Sequence, residues 1–297
     1  MSARTQKTRT LLILSAICLL AVAVTATLYY LRSTAEKETT VSVSAKKGVG
    51  TWDFRSVRAG LSKAQVSWFY NWTADRGRIP ASQQAKFVPM VWNASSVTAE
   101  NLKKAKSSGS DTLLAFNEPD RPEQANMTPQ QAIDLWPQLE ATGLRLGSPS
   151  PAADAPQQNG WLDWFLRLAK ERNYRVDFIA VHWYGEKFDA TAVKELHDYL
   201  QSVYSRYGLP IWLTEFALIS FANHSPDPVH ALYPTDAQQA KFIKDATAML
   251  EELSYVERYA WFGLPTLDGA TGSGLCREDG TLTAAGTAYR SVGVPTP

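Results

Sequence analysis

The chain has 297 residues, 45% hydrophobic and 20% charged, a globular composition that argues against a disordered or fibrous protein. Its formal charge of +1 hides an asymmetry: residues 1–32 carry Arg4, Lys7, Arg9 and Arg32 and no acid, leaving 26 basic against 29 acidic residues beyond them. A mildly acidic body has no electrostatic footprint for nucleic acid, and no nucleic-acid partner is expected.

Residues 1–10 form a basic tail, and Leu11 to Leu31 is an uncharged run of 21 residues. As a helix it is long enough to cross the roughly 30 Å hydrocarbon core of a bilayer. The basic residues before it stay in the cytoplasm by the positive-inside rule, so the body of the chain is expected outside. A cleaved signal peptide is the alternative, because Val24-Thr25-Ala26 offers a small-residue cleavage site. The run exceeds a usual signal core and ends in Tyr29-Tyr30-Leu31-Arg32, an interfacial anchor pattern, which favours a single-pass anchor over a secreted form. Residues 32–45 are polar, rich in Ser and Thr, and read as a tether. The only cysteines are Cys18, inside the apolar run, and Cys276, so the exported domain has no internal disulfide and must rest on its core. Cys276 is expected to be a buried thiol.

From residue 46 to 297, short apolar runs alternate with segments of helical period. Eight such runs stand at 47–53, 65–71, 86–92, 112–117, 144–148, 177–184, 210–216 and 257–263. Eight strands alternating with helices in about 250 residues predict an α/β protein, a single (β/α)8 TIM barrel. Thr128-Pro129-Gln130-Gln131 and Thr235-Asp236-Ala237-Gln238 read as capping boxes that start helices. Residues 192–207 place Val193, Leu196, Leu200, Val203 and Tyr207 on one face before a stop at Gly208. A doubly wound nucleotide-binding sheet is the competing architecture, but the first turn is Thr51-Trp52-Asp53-Phe54, and neither GxGxxG nor a P-loop is present.

In a parallel barrel the C-terminal ends of the strands form the active face. Glu118 closes the fourth run and Glu215 the seventh. A pair of carboxylates facing one cleft is what glycoside hydrolysis needs, one to protonate the leaving oxygen and one to attack the anomeric carbon or activate water. Trp52, Asp53, Asn71, Trp72, Trp92, Asn117, His182, Trp183, Tyr184 and Trp261 stand at the same ends. Flat aromatic floors with amides at the sides suit sugar rings, which have apolar faces and polar rims. Trp68, Trp164 and Trp212 lie mid-strand or on helical faces and are expected in the core. The four histidines form no HxH or HExxH spacing, so no metal site is expected. His182 is read as a hydrogen-bonding wall of the sugar site. The insert from Asn223 to Tyr233 is expected to wall the cleft.

Asn117-Glu118-Pro119, His182-Trp183-Tyr184 and Thr214-Glu215-Phe216 resemble motifs of clan A glycoside hydrolases. Together with Trp68-Phe69-Tyr70-Asn71-Trp72 and Trp212-Leu213, the chain is similar to glycoside hydrolase family 128 over nearly all of 46–290. The resemblance implies a retaining β-1,3-glucanase without metal or cofactor, and endo action by a monomer is expected. By position it implies Glu118 as acid/base, Glu215 as nucleophile, Asn117 on the sugar 2-hydroxyl and Tyr184 on the nucleophile. Trp261 would floor the same subsite, with a cis bond to Phe262. A non-catalytic β-1,3-glucan-binding barrel, an exo-acting enzyme or transglycosylase, and a hydrolase of another β-glycan such as mannan remain open.

Overall fold

The computed structural model describes residues 43–80, 84–221, 231–266 and 272–293. The basic tail, the apolar run and nearly all of the tether lie outside the described residues. Among the described residues no helix is long and apolar enough to cross a membrane.

Eight strands stand where the eight apolar runs predict them. They are β1 Lys47–Gly50, β2 Trp68–Tyr70, β3 Lys86–Phe87, β4 Thr112–Leu113, β5 Arg145–Leu146, β6 Ile179–Gly185, β7 Ile211–Leu218 and β8 Val256–Phe262. Every strand pairing is parallel. Six strands join in the order β3-β2-β1-β8-β7-β6, and β4 pairs with β5. Single parallel bridges, Met90 to Leu114 and Gly147 to Phe178, link that pair to β3 and to β6. The parallel strands therefore run round a ring in chain order, consistent with a (β/α)8 barrel.

Helix α1 Val57–Ala64 follows β1, and α2 Ala99–Lys106 follows β3. The helices α3 Pro129–Glu140, α4 Trp161–Glu171, α5 Thr191–Tyr207, α6 Asp236–Glu252 and α7 Ala284–Arg290 follow β4 to β8 in turn. No helix joins β2 to β3 among the described residues. Both capping boxes form: the Thr128 and Thr235 hydroxyls accept from the backbone three residues on, and Gln131 and Gln238 reach back to the capping residue's N–H. Helix α5 buries Leu196, Leu200 and Val203 and ends at Gly208, whose φ of 66° only glycine adopts without cost.

The period-two alternation of the strands sorts the core into two layers. Outward residues such as Val49, Phe69, Val181, Leu213, Tyr259 and Trp261 pack under the helices. Inward ones, Trp68, Tyr70, Met90, Leu114, Phe178, Ala180, Trp212 and Ala260, fill the barrel. So aromatic an interior needs room, and β1 supplies it. A Cβ on Gly48 would sit 2.2 Å from the Trp68 ring, and one on Gly50 would sit 2.9 Å from that of Trp72. At the opposite end Arg258 lies over the rings of Trp212 and Trp68. The expectation for Trp164 does not hold: on the outer side of α4 it is 54% exposed, whereas Trp68 and Trp212 are core. Cys276 is buried and unpaired.

The start and end of the described domain are tied together at the N-terminal end of β1. The buried Lys47 ammonium donates to the carbonyls of Tyr289 at 2.5 Å and Val292 at 2.7 Å. Burial pulls its pKa down to about 7, against the opposing pull of Glu251.

Candidate active site

Two features of β6 and β7 bring the chemistry inward. Along β6, alternation aims Phe178, Ala180, His182 and Tyr184 into the barrel and sends Trp183 outward, where its ring stacks on Phe242 of α6. Along β7 strict alternation would turn Glu215 outward, because Trp212 already points in. The ladder slips instead: Val181 pairs with Leu213 but His182 pairs with Glu215, leaving Thr214 as the extra residue of a bulge. The bulge re-aims the next side chain, so Glu215 enters the barrel beside His182.

Glu118 reaches the same point from the end of β4. Its backbone N–H donates to Ser150 O at 2.8 Å, and its φ of 41° puts a non-glycine residue in the left-handed region. That conformation is costly, and the surrounding bonds hold it. Asp120 ties this turn to the loop after β5 by accepting the N–H groups of Ala152 and Ala153.

The carboxylates sit in different settings. Glu215 is 5% exposed and surrounded by donors: Trp72 Nε1 gives to Oε1 at 2.8 Å, and the Tyr184 hydroxyl gives to Oε2. The Tyr70 hydroxyl, 3.1 Å from Oε1 and 3.0 Å from the Thr214 carbonyl, shares its hydrogen between them. Burial pushes the Glu215 pKa above the ordinary carboxylate range, while the charge of His182 and the Tyr184 and Trp72 donors pull against that shift. Burial, reinforced by the Glu215 charge, also keeps both tyrosines well above their usual pKa, so they stay donors. Glu118 is more open at 14% and holds His182 Nδ1 at 2.9 Å through Oε1. The other ring nitrogen, Nε2, lies 3.5 Å from Glu215 Oε1. Burial lowers the pKa of His182, but the Glu215 and Glu118 charges outweigh it and leave a net rise.

Above these groups opens a cleft of about 540 Å³. Trp52, Trp72, Trp92, Asn117, Glu118, Tyr184 and Glu215 line it, and His182 lies beneath its floor. The remaining strand-end residues do not enter it. Trp261 points outward by the alternation of β8, is fully buried, and donates from Nε1 to Ser273 O at 2.7 Å. Phe262, the inward residue beside it, lines the cleft in its place. The bond between them is trans, since the described residues contain no cis peptide. Asp53 pairs with Arg78 at 3.0 Å, and Asn71 closes a turn with Thr73 and Asp75. Trp183 is turned to the helix layer, as described. Sequence reading missed Tyr70, although spacing by two from Trp68 and Trp72 puts it on their face. Phe221 and Tyr233, on either side of residues 222–230, also wall the cleft. Most of the expected wall from 223 to 233 falls outside the described residues.

Glu118, His182 and Glu215 offer ligand atoms all within 4.8 Å of one another, close enough to meet at one cation. The Glu215 oxygens already accept from three donors, which suits a held carboxylate more than a free metal ligand.

Two carboxylates of unlike surroundings on the C-terminal rim of a parallel α/β ring, under an aromatic cleft, define a glycoside hydrolase. The comparisons agree. Residues 51–289 match the family model described as glycosyl hydrolase catalytic core, and the chain belongs to that group and, within it, to glycoside hydrolase family 128. It is similar to a subgroup I endo-β-1,3-glucanase of that family from Amycolatopsis mediterranei, solved with laminaripentaose. That likeness has 50% identity and a TM-score of 0.78, covering 84% of this chain and 99% of that one. Structures of that relative carry a replacement at one or the other of two glutamates with the same separation in sequence as Glu118 and Glu215. A subgroup II endo-β-1,3-glucanase from Sorangium cellulosum is 30% identical with a TM-score of 0.68, over 83% of this chain and 98% of that one. Alkali-sensitive linkage protein 1 of Schizosaccharomyces pombe is 29% identical over 236 residues, 76% of this chain, and the chain spans 40% of that protein's length.

Proposed function

We propose that this protein hydrolyses β-1,3-glucan inside the chain, with retention of configuration, and that Glu118 is the acid/base and Glu215 the nucleophile. The observation that carries the mechanism is that one oxygen of each carboxylate lies within 4.8 Å of the other, both against His182. Retaining enzymes hold the pair about 5–5.5 Å apart, while inverting ones leave about 6.5–9.5 Å for a water. The linkage and the endo action rest on the family relatives solved with laminarioligosaccharides. In the first step Glu118 protonates the glycosidic oxygen while Glu215 attacks the anomeric carbon. In the second, Glu118 takes a proton from water as the ester at Glu215 breaks.

The other roles follow from position. Asn117 Oδ1 is buried without a hydrogen-bond partner, and it accepts from the 2-hydroxyl of the sugar being cleaved. Trp52, Trp72 and Trp92 support the sugar faces. The apolar run 11–31 places the hydrolase outside the cytoplasm, held at the membrane or released by cleavage.

The test is a time course of product lengths from a soluble β-1,3-glucan, for wild type and for Glu118→Gln and Glu215→Gln. Internal cleavage by wild type that both variants lose by several orders of magnitude supports the reading. Equal turnover in all three would sink the site assignment, and tight oligosaccharide binding without turnover would make the barrel a glucan receptor.

A further inference from the structure

His182 is placed to do more than line a sugar site. Its ring is 1% exposed and lies between the two carboxylates, Nδ1 at 2.9 Å from Glu118 and Nε2 at 3.5 Å from Glu215. Nε2 is buried and makes no regular hydrogen bond. These distances constrain where protons sit. A carboxyl oxygen and an imidazole nitrogen at 2.9 Å need one proton between them, because a carboxylate facing a bare nitrogen is repulsive. Nε2 faces Glu215, which must be ionised to attack, so by the same argument Nε2 carries hydrogen. The neutral ring is then the Nε2–H tautomer, and the proton in the Glu118 contact either belongs to Glu118 or has moved to Nδ1. Both forms hold the same number of protons.

We propose that His182, fixed as the Nε2–H form by the charge of Glu215, is the proton partner of Glu118 and acts as a positioning residue for both halves of the reaction. This rests on the proposed roles of the two glutamates. In the first step the shared proton passes through Glu118 to the glycosidic oxygen, the C–O bond breaks, and Glu215 bonds to the anomeric carbon. Nδ1 is then left bare against an ionised Glu118. That repulsion is relieved when Glu118 takes a proton from the incoming water, whose oxygen bonds to the sugar as the Glu215 ester breaks. One ring nitrogen thus holds the shared proton in the Glu118 contact before the first step and draws a proton back to that contact in the second. The charged groups that bear on the ring are Glu118 from the end of β4, Glu215 from β7 and, farther off, Asp120.

The test compares wild type with His182→Asn, whose amide can touch Glu118 but cannot take its proton. Two substrates separate acid catalysis from general damage: an unactivated β-1,3-glucan oligosaccharide, and an aryl β-glycoside of the same sugars with dinitrophenolate as leaving group. The leaving group of the second needs no proton. The expected result is a loss of about 10²–10⁴-fold in kcat/KM on the oligosaccharide and less than about tenfold on the aryl glycoside. The aryl substrate should also give a burst, as the glycosyl-enzyme accumulates for want of a strong base. Equal losses on both substrates would make His182 merely structural and overturn the proposal. Nitrogen-15 spectra of histidine-labelled protein, assigned by the signal missing in His182→Asn, read the tautomer without any turnover. Nε2 protonated supports the proposal, and Nδ1–H with a bare Nε2 refutes it, even if wild type proves inactive and the proposed hydrolysis itself fails.

Discussion

Replacing Trp72 by Phe removes one hydrogen bond from Glu215, the proposed nucleophile, and leaves an aromatic ring in the cleft. The bond at stake, Nε1–H to Glu215 Oε1 at 2.8 Å, has a charged acceptor and is buried. Hydrogen bonds to charged groups contribute about 1.5–3 kcal/mol. This bond favours the ionised carboxylate and is among the causes that pull the Glu215 pKa down. Its loss moves that pKa further up from where burial already holds it. In its proposed role Glu215 attacks as the carboxylate, so activity should disappear as pH falls through its pKa, and the acid limb of the variant's profile should move to higher pH. At a fixed pH on that limb, 1.5–3 kcal/mol corresponds to a loss of about 10- to 150-fold. On the plateau Glu215 is ionised in both proteins, and the Tyr70 and Tyr184 donors remain, so the difference there should be much smaller. The assay is kcat/KM on a β-1,3-glucan oligosaccharide from pH 4 to 9. An acid limb that coincides with wild type, or a uniform loss at every pH, would refute the assignment of Trp72 as a donor that keeps Glu215 charged.

Other outcomes follow from the same geometry. Gly50→Ala places a Cβ 2.9 Å from the Trp72 ring; the ring must move, so melting should report a cost of about 1–3 kcal/mol and kcat should fall with the Glu215 contact. Glu215→Gln removes a buried charge whose folded-state pKa is raised. The wild-type penalty grows as pH rises above the unfolded value, so this variant should be more stable than wild type at pH 7. The gap should close toward pH 4 in denaturant titrations. Lys47 has the opposite profile: with a folded pKa near 7, the unfolded chain binds the extra proton between there and about 10.5. Wild-type stability should therefore gain as pH rises from 7 toward 10, a gain that Lys47→Met lacks and that calorimetry would detect as several degrees in Tm.

The barrel was legible because each strand carries a dense apolar run and several helices carry their own caps, signals that are local and survive without knowledge of the fold. Trp183 and Trp261 were misplaced for an equally local reason. Both sit at strand ends among polar residues, and strand-end position alone does not tell which face a side chain takes. Alternation does. Counting by two from Ala260 puts Phe262 inward and Trp261 outward, and counting from Ala180 separates His182 and Tyr184 from Trp183.

The same count, applied to β7, fails at the residue that matters most. From Trp212 it points Thr214 inward and turns Glu215 toward the helices, where an unpaired carboxylate could not be buried cheaply. What restores Glu215 to the cleft is the bulge at Thr214, whose hydroxyl lies 3.2 Å from Val181 O, the position where the β6 ladder slips. A bulge is a relation between two strands, so it leaves no mark in the apolar pattern of one. The left-handed φ of Glu118 is of the same kind, since the groups that hold its turn, Ser150 O and the Ala152 and Ala153 N–H groups bonded to Asp120, come from another loop. Both carboxylates therefore reach the cleft through departures from regular strand geometry held by neighbouring segments. Strand-end position located them, whereas alternation counted along β7 alone would have turned Glu215 away from the cleft.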